Sequence, residues 1–357
     1  YAVLRKKAQL QDYAALCAAI AFSAALAASV AVLADLGNIG NVLAMIIGPH
    51  LTSPLVWDMV ALTVFILVAL VNFIILALPA WTRSETRIGT WLAKRIKPER
   101  ADASRRRLAP ILAVIGIIAA VALQIVEGLI FSLQAAHVWW HTPLLPFDFI
   151  AVSGICGSAL LLLVLALTTM KSQTEHSHTT IKHVSRVLVV SLVLHFAIVA
   201  IGLIGLVTSS VPAEKELLAL LSGDYAVLYA AEIILPIMAL VLVVTPRLRL
   251  SRITMAVAAL LTTAGILAHR MMLLYGAYAV PSLLFTLPES SSGAQLGSWG
   301  YPISTGFGTL GEPMFAATTA YVPTMIEVGV ALLPLGIAVF VCGILIVLSR
   351  SYPAQKG

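Results

Sequence analysis

The chain contains eight uninterrupted apolar segments, and this repetition limits the possible folds more than any single motif does. A membrane-spanning helix needs about 20 apolar residues. Only 11% of the 357 residues are charged, against about 25% in a typical soluble domain. We therefore predict an all-α integral membrane protein in which residues 1–357 form one polytopic domain. The expected helices are 13–34, 55–79, 109–134, 144–170, 186–209, 222–245, 252–280 and 323–348.

Basic residues alternate between successive connections, which predicts the orientation of the helices. Nine Lys and Arg residues lie in the stretch from Arg83 to Arg107, after the second helix. The connections after the first, third, fifth and seventh helices together contain only Lys215. Cytoplasmic loops carry the excess of Lys and Arg. Both visible ends are therefore predicted to be cytoplasmic. The net charge of +6 is then explained by topology and by contact with anionic lipid, and we expect no nucleic-acid partner.

A short polar and aromatic stretch, residues 137–148, separates the third and fourth apolar segments at the predicted outer surface. A quinone ring needs an apolar slot, hydrogen-bond donors and titratable groups that exchange its protons. We predict a quinone site here. The proposed acid–base groups are Glu127, His137, His141 and Asp148, and the proposed walls are Trp139, Trp140 and Phe147.

Two simpler explanations apply to the same stretch. The tryptophans could belong to the interfacial aromatic belt, and the histidines could lie on the surface of an outer loop. Acids also follow prolines at three outer helix starts, as in Pro54 with Asp58 and Pro143 with Asp148. Proline in the first helical turn with an acid nearby also suits any helix N-terminus.

Further ionisable residues fall inside the apolar segments, where each charge is costly. They are His195, Glu232, His269, Arg270 and Glu327. Most are predicted to lie in the outer half of the membrane or near its midplane, with His195 as a link toward the inner side. We predict that they form a proton path. The alternative is an ion pair that only holds helices together, such as Arg270 with Glu232 or Glu127.

Sequence signals for a redox centre within the chain were not found. The three cysteines, Cys17, Cys156 and Cys342, lie in apolar segments without metal-binding spacing. No metal site is expected. His195 and His269 do not form a recognisable haem-binding pattern, so no haem is expected. A quinone-reactive chain of this kind would need a partner that delivers or accepts electrons.

Several short motifs, in order along the chain, are similar to those of a known family. They are Asp35-Leu-Gly37, Ser53-Pro-Leu-Val-Trp-Asp58, His141-Thr-Pro-Leu-Leu-Pro-Phe-Asp148 and Tyr321-Val-Pro-Thr-Met-Ile-Glu327. Together they resemble the NrfD/polysulfide-reductase membrane subunit family. The resemblance implies a quinone-reactive subunit without haem, built as two four-helix bundles in the prokaryotic cytoplasmic membrane. It also implies a ferredoxin-like iron–sulfur subunit on the outer face, which connects to further catalytic or cytochrome subunits.

The chain departs from the family pattern in two places. The family's glycine-rich helix before the Asp-Leu-Gly turn would precede Tyr1, and would make nine helices in all. Asn38 and Ile39 stand where the family often has Arg-Pro, which leaves any role of that arginine in doubt.

The predicted function is a membrane anchor that exchanges electrons between menaquinone or ubiquinone and the iron–sulfur partner, with or without proton translocation. Such a subunit is not an enzyme by itself. A secondary transporter that uses the same buried charges for ion coupling is the alternative. A structural anchor without a quinone site is a third hypothesis.

Overall fold

The computed structural model describes residues 13–35, 40–83, 87–134, 137, 139–168, 175–210, 212–223, 225–248, 250–279 and 324–350. Within these ranges the chain forms eleven helices and no strand. They are α1 (Ala14–Asp35), α2 (Gly40–Ile47), α3 (Pro54–Thr82), α4 (Arg87–Arg95), α5 (Pro98–Ser132), α6 (Leu145–Thr168), α7 (Glu175–Thr208), α8 (Pro212–Ser222), α9 (Ala226–Val244), α10 (Arg252–Ala279) and α11 (Met325–Arg350).

Eight of these helices are long and apolar enough to cross a membrane: α1, α3, α5, α6, α7, α9, α10 and α11. A helix satisfies its own backbone hydrogen bonds, which is why it is the form that such apolar segments take in lipid. Large apolar side chains such as Val190, Leu267 and Val339 are exposed on these helices. The predicted all-α multi-pass membrane protein with eight spans is confirmed.

Three helix starts differ from the sequence-based expectation. Helix α5 begins at Pro98 rather than 109, and α7 begins at Glu175 rather than 186. Hydropathy finds the apolar part of a helix, whereas the helical backbone continues through the charged residues that flank it. Residues 212–222 form the separate helix α8, so α9 begins at Ala226 rather than 222.

The helices divide into two compact units, each of which holds four spans. The first unit comprises Tyr1–Val126 and Val322–Gly357, with α1, α3, α11 and most of α5. Within it, α1 packs against both α3 and α11. Ala19, Phe73, Ala77 and Ala109 form part of a buried apolar core.

The second unit, Glu127–Tyr321, contains the spans α6, α7, α9 and α10. Helix α6 packs against α7 and α10, and α9 packs against α10 and α7, so the four helices form a closed ring. Each helix directs one row of buried side chains toward the other three helices. Ile155, Ala159 and Leu162 form such a row, the buried stripe, on α6. This spacing of three to four residues places side chains on one helix face.

Two glycines allow close packing in this ring. A Cβ atom at Gly265 of α10 would lie 2.4 Å from the side chain of Pro236 on α9. A Cβ atom at Gly154 of α6 would lie 2.4 Å from the Ser191 hydroxyl on α7. Replacement of Gly265 would force α9 and α10 apart because the proline ring is rigid, whereas replacement of Gly154 would first require the Ser191 side chain to rotate.

Candidate functional site

Each of the four spans in the second unit contributes one ionisable side chain to the interior of the ring. Asp148 lies in the first turn of α6, His195 on α7, Glu232 on α9 and His269 on α10. Their exposed fractions are 3%, 0%, 1% and 7%. Each occupies a position on the buried stripe of its helix. We call these four residues the polar quartet.

The polar quartet is connected by hydrogen bonds. Asp148 Oδ1 lies 2.6 Å from His195 Nδ1, and Asp148 Oδ2 lies 2.9 Å from His269 Nε2. The other nitrogen of His269, Nδ1, lies 2.9 Å from Glu232 Oε1. The resulting order is His195–Asp148–His269–Glu232, with Asp148 and His269 in the middle.

The central contacts require a shared proton. A neutral imidazole has one donor and one acceptor nitrogen, whereas both nitrogens of His269 face carboxylate oxygens. Either His269 is an imidazolium that donates to both carboxylates, or one carboxylic acid donates to it. In both cases the polar quartet holds a proton that can shift between neighbouring groups.

Both ends of the polar quartet retain hydrogen-bonding capacity. His195 Nε2 and Glu232 Oε2 are buried and have no hydrogen-bond partner within the described ranges. Buried polar atoms are normally satisfied. Pro236, one turn after Glu232, also has no N–H to offer to the Glu232 backbone carbonyl. The ends of the quartet are therefore the places where an additional proton donor or acceptor would be accommodated.

A cavity of about 510 Å³ opens beside the quartet. Asp148, Glu232 and His269 contribute its main buried polar groups. Much of the remaining wall is apolar and includes Ile198 and Leu206 of α7. The cavity thus combines a mainly hydrophobic wall with a small number of titratable groups, as binding sites for small molecules usually do.

The structure brings together five of the residues that the sequence suggested. Trp139, His141 and Asp148, predicted for the quinone site, line the cavity with Glu232 and His269, which were predicted for the proton path. The cavity wall therefore contains residues from both predicted groups. His195, also predicted for the path, lies one hydrogen bond behind Asp148.

Three other predicted site residues lie outside the cavity wall. His137 Nδ1 is 3.0 Å from the Ala277 carbonyl oxygen, and Trp140 donates its indole N–H to the Leu273 carbonyl oxygen at 2.7 Å. These bonds hold His137 and Trp140 against α10. Phe147 is 59% exposed and is not part of the wall. Phe147 and Asp148 are consecutive residues in the first turn of α6, so their side chains point in different directions. Asp148 faces the interior of the ring, and Phe147 faces outward.

The structure places the last three predicted residues as follows. Glu127 is half-buried on α5 and does not line the cavity. The Arg270 guanidinium lies 3.8 Å above the ring of Phe149, a cation–π contact. Glu232 contacts His269 rather than forming the ion pair with Arg270 that was one alternative. Glu327 belongs to α11, but its side chain lies outside the described residues.

Two ionisable residues of the cavity wall were missed by the sequence analysis: Glu214 of α8 and Tyr229 of α9. The segment that contains Glu214 was treated as a connection between spans. Its helical signal is nevertheless present, because Pro212 stands at the first helical position and Glu214 in the first turn. Leu217 and Leu221, four residues apart, form the buried face.

Comparison with known proteins gives one clear result. The family model described as "Polysulphide reductase, NrfD" matches residues 1–282 of the 357-residue chain. No curated protein sequence matches the chain. A match over most of the chain, in a protein with eight membrane spans, is sufficient to assign the family. The chain belongs to the NrfD (polysulphide reductase) family and, as such, is a membrane subunit of respiratory oxidoreductase complexes.

Proposed function

We propose that the chain binds a quinone in the cavity beside the polar quartet and exchanges electrons between the quinone pool and an iron–sulfur partner. The observation that carries this proposal is the position of Asp148 and His269, which are hydrogen-bonded to each other and both line the cavity. The cavity volume of about 510 Å³ lies within the usual range of small-molecule sites, roughly 300–1,000 Å³.

The cavity wall suits a flat ring that carries two oxygens. Trp139, Ile198 and Leu206 offer aromatic and aliphatic surface, and His141 and Tyr229 offer polar groups. Menaquinone and ubiquinone both have such a head group. The proposal therefore covers this class of ligand, and either quinone satisfies it.

Proton exchange is the chemical contribution of this chain's own residues. Reduction of a quinone to a quinol takes up two electrons and two protons, and oxidation releases them. Asp148 and His269 would donate or accept a proton at the quinone oxygen, acting as general acid–base groups. His195 and Glu232 would exchange that proton with the central pair, because each is hydrogen-bonded to one of its members.

Electrons require a second subunit under this proposal. The family consists of subunits of oxidoreductase complexes, and we propose a ferredoxin-like iron–sulfur protein as the immediate partner, joined to further catalytic or cytochrome subunits. The distribution of basic residues supports a cavity at the outer face of a prokaryotic cytoplasmic membrane, with both visible ends cytoplasmic.

Proton translocation is a second proposed activity, favoured by one observation. The polar quartet continues past the cavity wall to His195, whose Nε2 has no partner among the described residues. Intramembrane chains of Asp, Glu and His serve as proton relays. A secondary transporter would use the same groups for ion coupling, but it would need neither a quinone nor an iron–sulfur partner.

Substitution of Asp148 tests the proposal. Asp148→Asn keeps the size of the side chain and removes its charge. We expect quinol turnover of the purified complex to fall at least tenfold, because loss of a general acid–base group typically costs about 10²–10⁴ in rate. Asp58→Asn is the matched control, since Asp58 also follows a proline at a helix start but belongs to the other unit. Turnover should be unchanged in the control.

Two outcomes distinguish the hypotheses. Unchanged quinol turnover in correctly assembled Asp148→Asn would contradict the proposed site. Iron content is a separate measurement on the same preparations. A transporter should purify without iron, whereas the proposed subunit should bring an iron–sulfur protein with it.

A further inference from the structure

The polar quartet has a second chemical property that proton exchange does not require. One oxygen of Asp148 and one nitrogen each of His195 and His269 all lie within 4.8 Å of one another. All three residues are buried. We propose that these three side chains form a binding site for a divalent transition-metal ion of the zinc class.

The three ligand atoms are already close enough for side-chain movements to bring them around one ion. Zinc binds nitrogen and oxygen ligands at about 2 Å in a tetrahedral arrangement, which places the ligand atoms roughly 3.3 Å apart. The present separations are 2.6 Å from Asp148 Oδ1 to His195 Nδ1 and 2.9 Å from Asp148 Oδ2 to His269 Nε2. Reaching the tetrahedral spacing would lengthen these two contacts by a few tenths of an ångström, and any pair of ligand atoms near the 4.8 Å limit would have to close by up to about 1.5 Å.

Glu232 completes the site without contacting the ion. It faces His269 Nδ1 at 2.9 Å, on the opposite side of the ring from the proposed metal-binding nitrogen Nε2. Histidine ligands of zinc commonly donate their second nitrogen to a carboxylate in this way, which fixes the ring and its tautomer. Glu232 therefore already occupies the position of such a supporting carboxylate.

The charges of the quartet itself also balance that of the ion. A divalent cation in a buried site needs compensating negative charge, because an isolated ion in an apolar interior is very unfavourable. Asp148 and Glu232 supply two negative charges, and both histidines bind the metal in the neutral form. The ion would replace the protons that the quartet otherwise holds.

The cavity provides both an entry path and a fourth ligand position. Asp148 and His269 line it, so an ion that enters the cavity meets these two ligands directly. Glu214 and His141 also line the cavity and offer an acid and an imidazole along the way. Three protein ligands with one open position are typical of zinc sites that bind an exchangeable fourth ligand.

Sequence spacing could not reveal this site. Its three ligands come from α6, α7 and α10 and are separated by 47 and 74 residues. Known zinc motifs are recognised from ligands a few residues apart. The expectation of no metal site was based on such spacing.

Equilibrium dialysis of the chelator-treated, purified complex against Zn²⁺ tests the proposal. We expect one saturable zinc per copy of the chain in the wild-type complex and none at this site in His195→Gln. His50→Gln, which replaces an exposed histidine, should bind zinc like the wild type. Glu232→Gln should weaken binding by about 10–100-fold, the usual effect of removing a supporting carboxylate. A large excess of Mg²⁺ should not displace zinc, because Mg²⁺ prefers oxygen ligands.

X-ray absorption at the zinc edge gives an answer that needs no variant. Wild-type complex loaded with one zinc per copy should show two imidazole ligands and oxygen, and no sulfur. Equal zinc binding in the wild type and His195→Gln, or a zinc spectrum without two imidazoles, would overturn the metal site. If His195→Gln fails to assemble, the wild-type spectrum alone decides.

A consequence for activity rests on the proposed function. Bound zinc would prevent Asp148 and His269 from exchanging protons, so quinol turnover should fall as the site fills. Zinc that binds at these ligands without inhibition would support the metal site and contradict the role of Asp148 in turnover. Absence of zinc binding would overturn the metal site and leave the quinone proposal standing.

Discussion

Glu232 is the member of the polar quartet whose role is easiest to isolate. One of its oxygens contacts His269 and the other is buried without a partner among the described residues. The Glu232→Gln variant keeps the shape of the side chain but removes its charge and its ability to carry a proton. We expect proton uptake coupled to quinone reduction to slow at least tenfold in reconstituted vesicles, as general acid–base groups contribute about 10²–10⁴.

Glu99→Gln is the control for this prediction, because Glu99 is exposed in the first turn of α5. Proton uptake in that variant should equal that of the wild type. Wild-type uptake in Glu232→Gln would remove this residue from the proton path.

The identities of the site residues were largely accessible from sequence, whereas their connections were not. An ionisable residue inside a span signals function because it is costly there, and this argument found His195, Glu232 and His269. Asp148 was found from the polar and aromatic stretch 137–148. Their hydrogen bonds join residues 47, 121 and 37 positions apart. Such contacts depend on how four helices pack, which the spacing along the chain does not specify.

Helix packing around the quartet can be tested at Gly265 of α10. In Gly265→Ala the new Cβ atom would meet the Pro236 side chain at 2.4 Å, so α9 and α10 must separate. We expect thermal unfolding in detergent to show a loss of roughly 1–3 kcal/mol, the usual cost of overpacking.

Gly157→Ala on α6 is the matched control. A Cβ atom at Gly157 meets nothing within 4 Å, and alanine favours a helix over glycine by about 1 kcal/mol. This variant should be as stable as the wild type or slightly more stable. A Gly265→Ala protein that unfolds at the same temperature as the control would show that the contact between α9 and α10 tolerates the methyl group.

The membrane spans were predictable in number, whereas the extent of the helices and the three short helices α2, α4 and α8 were not. The eight spans follow from apolar length alone, since each must cross the bilayer. The extensions of α5 and α7 through charged residues, and the separate helix α8, were missed because their composition is not that of a lipid-embedded segment. Helix α8 matters most for function, since it brings Glu214 to the cavity.

The orientation of the whole chain can be tested by labelling introduced cysteines. Lys215 on α8 and Lys182 on α7 are both exposed, and the distribution of basic residues predicts that they lie on opposite sides of the membrane. A membrane-impermeant maleimide should label Lys215→Cys in intact spheroplasts. Lys182→Cys should react only after the membrane is opened. The reverse pattern would place the cavity on the cytoplasmic side.

The assignment to the NrfD family explains why a chain without an evident redox centre in its sequence belongs to a respiratory complex. Its proposed contribution is to bind the quinone, exclude water from it and exchange protons, while partner subunits carry electrons. The division of labour depends on the cavity beside Asp148 and His269.

A cryo-electron microscopy map of the purified complex with a bound quinone analogue tests that claim most directly. The account predicts a flat ring in the cavity, with one ring oxygen within hydrogen-bonding distance of Asp148 or His269. A ring bound elsewhere in the complex, with the cavity filled by side chains or lipid, would contradict it.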